Sequence, residues 1–172
     1  MCKKTLYAAI SLLSLFFVGC KNYSLSVNDN TLYTPAKIFK SYQIVDTALA
    51  DCVAQTIIDL HVTKAEDLKQ LNCSKAGIKT LTGLNKFFAL TELNLNDNKI
   101  QDINELSNLG RLEILHLQNN NITHSAPLLN LLHLHQLNLS HNPIKDCNSL
   151  QQLRNNLTDN KVNIILDNVC VK

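Results

Sequence analysis

The 172-residue sequence contains no tryptophan, and only 5% of its residues are aromatic. Glycine is also scarce, and its four copies are not grouped, so the sequence has no glycine-rich phosphate-binding loop. It contains no nucleophile elbow, no Ser/His/Asp order and no paired zinc-ligand spacing. These absences argue against catalysis and against a cofactor, and they predict a core that is built mainly from leucine and isoleucine.

An excess of charge of either sign is also missing. The sequence has 16 basic and 14 acidic residues, which gives a formal net charge of +2. Lys3 and Lys4 lie in a segment that resembles a signal peptide, and without them the basic residues number 14, equal to the acidic ones. Because proteins that bind nucleic acid usually carry a basic patch, this balance argues against nucleic acid as a partner.

A leucine-rich pattern recurs every 22 residues. The stretch at 90–98 returns at 112–120 and 134–142, and a weaker copy precedes them, which gives four repeats over residues 68–155. Side chains alternate between the two faces of a strand, so this spacing predicts one apolar and one polar face. Three apolar positions recur in register: Leu68, Leu90, Leu112, Leu134; Leu71, Leu93, Leu115, Leu137; and Cys73, Leu95, Leu117, Leu139.

The pattern Leu-x-x-Leu-x-Leu-x-x-Asn-x-Ile resembles the leucine-rich repeat, and its length is similar to that of bacterial SDS22-like and internalin-type repeats. The resemblance implies an α/β solenoid with parallel strands on its concave face. A single repeat cannot bury its own apolar side, so neighbouring repeats must stack on each other. The pattern is specific for this fold and says little about function.

An asparagine column follows the strands at Asn98, Asn120 and Asn142, with Ala76 at the same position of the first repeat. A primary amide offers two donors and an acceptor, so a buried asparagine can satisfy backbone groups that would otherwise be unpaired. We therefore expect these three residues to form a structural asparagine ladder. Ala76 departs from the pattern because the first repeat adjoins a cap.

Residues 1–19 have the layout of a signal peptide, with lysines before a short apolar run that is too short for a confident membrane span. The ending Phe-Val-Gly-Cys resembles a bacterial lipobox, which implies that Cys20 carries acyl chains such as palmitate and anchors the protein to a membrane. The alternative is an ordinary signal peptide that ends near a cysteine. Lys21 then favours the outer membrane of the cell envelope, on its periplasmic or its surface side.

The remaining segments are assigned by composition and period. Residues 20–41 are polar and predict a flexible tether behind the lipidated cysteine. Residues 42–67 predict an N-terminal cap, with an amphipathic helix between Tyr42 and Leu60 whose apolar face includes Val45 and Leu60. Residues 156–172 predict a C-terminal cap with a short helix near Leu157 and a strand at 162–166.

Four cysteines remain besides Cys2 and Cys20, and in an exported protein they allow three disulfide pairings. Cysteines in a cap and in the adjacent repeat favour one pairing, in which each bridge fastens an end of the solenoid. The alternative is free buried thiols, since cysteine packs well in apolar columns. The favoured bridges are Cys52–Cys73 and Cys147–Cys170.

The polar face of the strands is the expected partner-binding surface, because repeat solenoids bind proteins with their concave sheets. Its side chains are mainly amides, with Ile114 as a lone apolar residue; the alternative is a merely solvated face. The predicted binding residues are Glu92, Asn94, Asn96, Ile114, His116, Gln118, Gln136 and Asn138.

Histidine is frequent in the last two repeats, at His116, His133, His135 and His141, but no complete ligand set accompanies it, so no metal site is predicted. We therefore expect a non-catalytic, membrane-anchored lipoprotein that mediates protein–protein interaction. The alternative is a structural or assembly component of an envelope or secretion complex.

Overall fold

The computed structural model describes residues 25–27, 30–33, 37–157 and 163–165. The chain divides into two compact units, residues 1–37 and residues 38–172. In the first unit, β1 (Leu25–Val27) and β2 (Asn30–Tyr33) pair antiparallel. The sequence predicts a flexible tether over residues 20–41, whereas the structure pairs two segments of this stretch as strands. Alternation of apolar and polar residues, as in Leu-Ser-Val, is typical of strands.

The second unit is a solenoid around a parallel sheet of five strands, ordered as they occur in the chain. The strands are β3 (Gln70–Asn72), β4 (Glu92–Asn94), β5 (Ile114–His116), β6 (Gln136–Asn138) and β7 (Asn163–Ile165). The first four pair in register at the 22-residue period, with Leu71, Leu93, Leu115 and Leu137 side by side. The predicted leucine-rich repeat solenoid is thus confirmed.

The segments that return the chain from one strand to the next are short 3-10 helices at Leu84–Phe87, Asn104–Asn108 and Ala126–Asn130. The last return segment differs, because it is an α-helix, α2 (Cys147–Leu157). This longer segment explains why β7 pairs with β6 through Leu137 and Ile164, which lie 27 rather than 22 positions apart. The C-terminal helix therefore begins inside the fourth repeat, earlier than the sequence analysis placed it.

The core lies behind the sheet and is continuous along the solenoid. The central leucines of the four repeat strands are at most 2% exposed. Full burial of a leucine side chain contributes roughly 1.5–3 kcal/mol, so the stacked columns supply the main favourable term for the fold. Each column is shared between neighbouring repeats, as the one-dimensional architecture requires.

The N-terminal cap is built on α1 (Thr47–Asp59), which buries Leu49, Val53 and Ile57. Asp46 caps this helix, since its Oδ1 accepts a hydrogen bond from the backbone N–H of Leu49 (3.1 Å). The expectation that Val45 and Leu60 belong to the apolar face is wrong: they are 71% and 59% exposed. Both residues lie outside the helix, so its period does not apply to them.

The cap also begins earlier than residue 42. Ile38 and Phe39 pack against the core, so they belong to the cap and not to a tether. Phe39, Tyr42 and Phe87 form an aromatic cluster, with ring centroids 5.3–6.1 Å apart. Three of the five aromatic residues in the described part of the chain therefore lie where the cap meets the first return segment.

Candidate functional site

Three rows of side chains run across the outward face of the sheet. All eight predicted binding residues lie on these rows, and each is half-buried. The first row is Gln70, Glu92, Ile114, Gln136 and Asn163; the middle row is Asn72, Asn94, His116, Asn138 and Ile165. The third row, just beyond the strands, is Ser74, Asn96, Gln118 and Ser140.

The asparagines of the middle row are committed to the protein's own backbone. Asn94 Oδ1 accepts a hydrogen bond from the N–H of Asn96 (3.0 Å), and Asn138 Oδ1 accepts one from the N–H of Ser140 (3.0 Å). Asn72 makes the equivalent bond (3.2 Å). Such bonds from a short amide to a backbone group two residues on stabilise turns. These side chains therefore lock the turns that follow the strands.

The third repeat departs from this arrangement because His116 stands where the others have asparagine. The N–H of Gln118 is instead satisfied by Asn96, whose Oδ1 lies 2.8 Å away on the preceding repeat. The Gln118 side chain in turn accepts a hydrogen bond from Asn138 Nδ2 (3.1 Å). This role of Asn96 was not predicted from the sequence; the missing asparagine at position 116 is the signal that points to it.

Subtracting these internal bonds leaves a smaller set of available side chains. Within the described residues, the side chains of Gln70, Glu92, His116 and Gln136 make no hydrogen bond, and Ile114 is apolar. These five residues are now called the available patch. They occupy strands β3 to β6, and all but His116 lie on the first row.

The asparagine ladder lies beneath the turns, with Asn98, Asn120 and Asn142 between 5% and 8% exposed. Nδ2 of Asn120 donates to the carbonyl oxygens of Leu95 (2.9 Å) and Leu117 (3.0 Å), while Oδ1 accepts from the N–H of Ile100 (3.1 Å). The other two rungs repeat this geometry. The ladder positions the face by tying each turn to the turn before it.

A row of left-handed residues lies at the rim beyond the third row. The residues directly before the ladder positions have φ angles of 56–58°. Asparagine, aspartate and histidine tolerate this conformation better than most side chains do. Asn119 also donates to Asp97 Oδ1 (2.8 Å). The four residues of this row are Lys75, Asp97, Asn119 and His141.

Disulfides fasten the solenoid. Cys52 on α1 is bonded to Cys73 beyond β3, with the Cα atoms 5.8 Å apart. This is the pairing that the sequence favours, and a crosslink over 21 positions is worth about 3 kcal/mol in the chain-entropy model. Cys147 is also disulfide-bonded. Its predicted partner Cys170 lies outside the described residues, as does the predicted lipidation site Cys20.

Among the described residues, no three His, Cys, Asp or Glu side chains come together as a ligand set. His135 Nε2 lies 3.5 Å from Glu113 Oε2, and both side chains are about half exposed.

In the part of the chain that the structure describes, no helix has the length and apolar character of a membrane span.

Comparison with solved structures identifies internalins of Listeria monocytogenes. Internalin F is 26% identical with a TM-score of 0.59, and the match covers 70% of this chain and 43% of that one. Internalin C2 is 25% identical with a TM-score of 0.52, covering 59% and 42%. The functional domain of InlJ, described as including a cysteine ladder, is 26% identical with a TM-score of 0.51, covering 56% and 22%.

The chain therefore spans less than half the length of the internalins that it matches. No family model matches the sequence, and a search of curated proteins finds no match. The register of the strands and these structural neighbours together define the class: the chain is a leucine-rich repeat protein with an α/β solenoid.

Proposed function

We propose that this protein is an exported, lipid-anchored leucine-rich repeat protein that binds another protein through its concave face and performs no catalysis. The observation that carries the proposal is the in-register sheet, which presents a mainly polar surface with Ile114 near its centre and Ile165 on its last strand. Solenoids of this kind use such surfaces for partner binding. The surface is held by the asparagine ladder, so little ordering is required when a partner binds.

Export and anchoring are supported by two features. The lipobox-like ending at Cys20 places a cysteine directly after the apolar run. The Cys52–Cys73 bridge fits an oxidising compartment, since disulfides are rare in the cytosol. We propose that the anchor lies in the outer membrane of the cell envelope. Metabolic labelling with a palmitate analogue should mark the wild-type protein and not Cys20→Ala; label on both proteins would contradict the anchor.

Site-specific photo-crosslinking in intact cells tests the binding surface. A photoreactive residue at Glu92, Ile114 or Gln136, all on the first row, should capture the same partner. Matched controls use exposed return-segment positions in the first three repeats, 22 residues apart: Lys86, Asn108 and Asn130.

Capture from the first row alone would support the proposal, and capture from the control positions alone would overturn it. Stoichiometric co-purification of the captured protein with a membrane complex would instead indicate an assembly component. Reversible capture of a soluble protein would indicate a binding protein.

A further inference from the structure

Among the four repeat strands β3 to β6, an apolar residue and a histidine stand on the concave face only on β5. In the first row, Ile114 stands where the other repeats have Gln70, Glu92 and Gln136. In the middle row, His116 replaces asparagine. The two side chains are two residues apart on one strand, so they lie on the same face. The coincidence places both departures near the middle of the sheet.

The fold itself does not require either departure. Asparagine at position 116 would make the turn-locking bond that its counterparts make, and its loss is compensated by the cross-repeat bond that the N–H of Gln118 donates to Asn96 Oδ1 (2.8 Å). The apolar side chain of Ile114 lies half-buried among polar neighbours on the side of the sheet away from the core. Since packing explains neither residue, their chemistry points to a ligand.

Negative charge lies beside this pair. Glu92 is the register partner of Ile114 on the adjacent strand, roughly 4.8 Å away in a parallel sheet. Glu113 precedes Ile114 in the chain, and its side chain is 52% exposed. Glu113 already has a partner, since His135 Nε2 lies 3.5 Å from its Oε2, whereas within the described residues no basic side chain lies within salt-bridge distance of Glu92. The surface around Ile114 is therefore complementary to a partner that joins an apolar group to a cation.

We propose that Ile114 and His116 form the anchor point for the protein partner, and that the partner places a bulky apolar side chain there with a lysine or arginine against Glu92. The inference rests on the proposed function and adds the chemistry of the bound segment. Apolar contact with Ile114 and the imidazole ring supplies the anchor, and anchors of this kind dominate binding energy at interfaces. The carboxylate sets the orientation of the segment.

The test is a selection of random linear peptides displayed on phage against the immobilised full chain with its disulfides oxidised. The regularised variant Ile114→Gln/His116→Asn restores the residue types of the neighbouring repeats, so it retains the fold. Selected peptides should combine an apolar residue with a lysine or arginine. Their affinity should fall about tenfold or more for the regularised variant and change about twofold or less for Asn108→Ala, on an exposed return segment outside the concave face.

Charge is tested separately with Glu92→Gln, which should weaken binding and reduce its sensitivity to salt. Peptides without cations, or peptides that bind the regularised variant equally well, would overturn the inference. If such peptides still lose affinity when other concave-face residues are changed, the proposed function stands and only the anchor is wrong. If no selected peptide competes for the concave face, both proposals fail.

Discussion

The three rungs of the asparagine ladder are chemically equivalent, but alanine should not affect them equally. In Asn120→Ala, the N–H of Ile100, a residue with no exposure, loses its acceptor. The Leu95 oxygen keeps a bond from Asn98, and the Leu117 oxygen keeps one from Asn142. The central rung therefore leaves one orphaned backbone group, because its neighbours share its carbonyl acceptors.

The outer rungs lack this protection. In Asn98→Ala the oxygen of Cys73 loses its only donor among the described residues, in addition to the N–H of Ile78. In Asn142→Ala the same happens to the Leu139 oxygen. An orphaned buried group costs about 1–3 kcal/mol. We expect Asn120→Ala, with one orphaned group, to lose about 1–3 kcal/mol of unfolding free energy, and each outer variant, with two, to lose about 1–3 kcal/mol more.

Urea unfolding with intact disulfides, analysed by linear extrapolation, measures these differences. The adjacent Asn121 is a matched control, because its side chain is exposed and makes no hydrogen bond within the described residues. Asn121→Ala should stay within about 0.5 kcal/mol of the wild type. A loss at Asn120 equal to or larger than that at Asn98 would refute the sharing of carbonyl acceptors between rungs.

Three further predictions concern single positions. Gly83→Ala should destabilise the protein by more than about 2 kcal/mol, because the φ angle of Gly83 is +96° and a Cβ would collide with the carbonyl group of Gln43. Thermal melts measure this loss, and Gly110→Ala is the control that should be tolerated. Ser125→Ala should raise the melting temperature, because this side chain has no exposure and its Oγ has no hydrogen-bond partner within the described residues; a decrease would contradict this. Burial raises the pKa of Asp46, but hydrogen bonds from backbone N–H groups outweigh this effect and lower the pKa below 3.8. The ionised Asp46 carboxylate therefore stabilises the folded protein above that pH, and this stabilisation is lost as the pH falls below it. Asp46→Asn should flatten the acid dependence of stability measured by urea titration, and an unchanged acid dependence would refute this role.

The repeat register could be predicted from the sequence because the architecture is one-dimensional. Residues 22 positions apart become neighbours, so the column that contains Leu93 and Leu115 and the asparagine ladder follow directly from the period. The pairing of β7 could not be predicted in this way, since α2 lengthens the last return segment and breaks the period. The ends of α1 were also predicted incorrectly, because the helical spacing of apolar residues extends to Val45 and Leu60, which lie outside the helix.

The binding face shows a different kind of limit. The sequence of a column of asparagines is the same whether their amides are available to a partner or bonded to the backbone. It could therefore not show that the side chain of Asn94 is hydrogen-bonded to the backbone while that of Glu92 is available. The role of Asn96 depends on what the next repeat lacks, and it becomes visible only when His116 is compared with its counterparts. In a repeat protein, residues that match their counterparts in the other repeats serve the fold. Residues that differ from their counterparts, where another hydrogen bond replaces the lost one, identify the surface available for function. By this criterion, the search for a partner begins at β5.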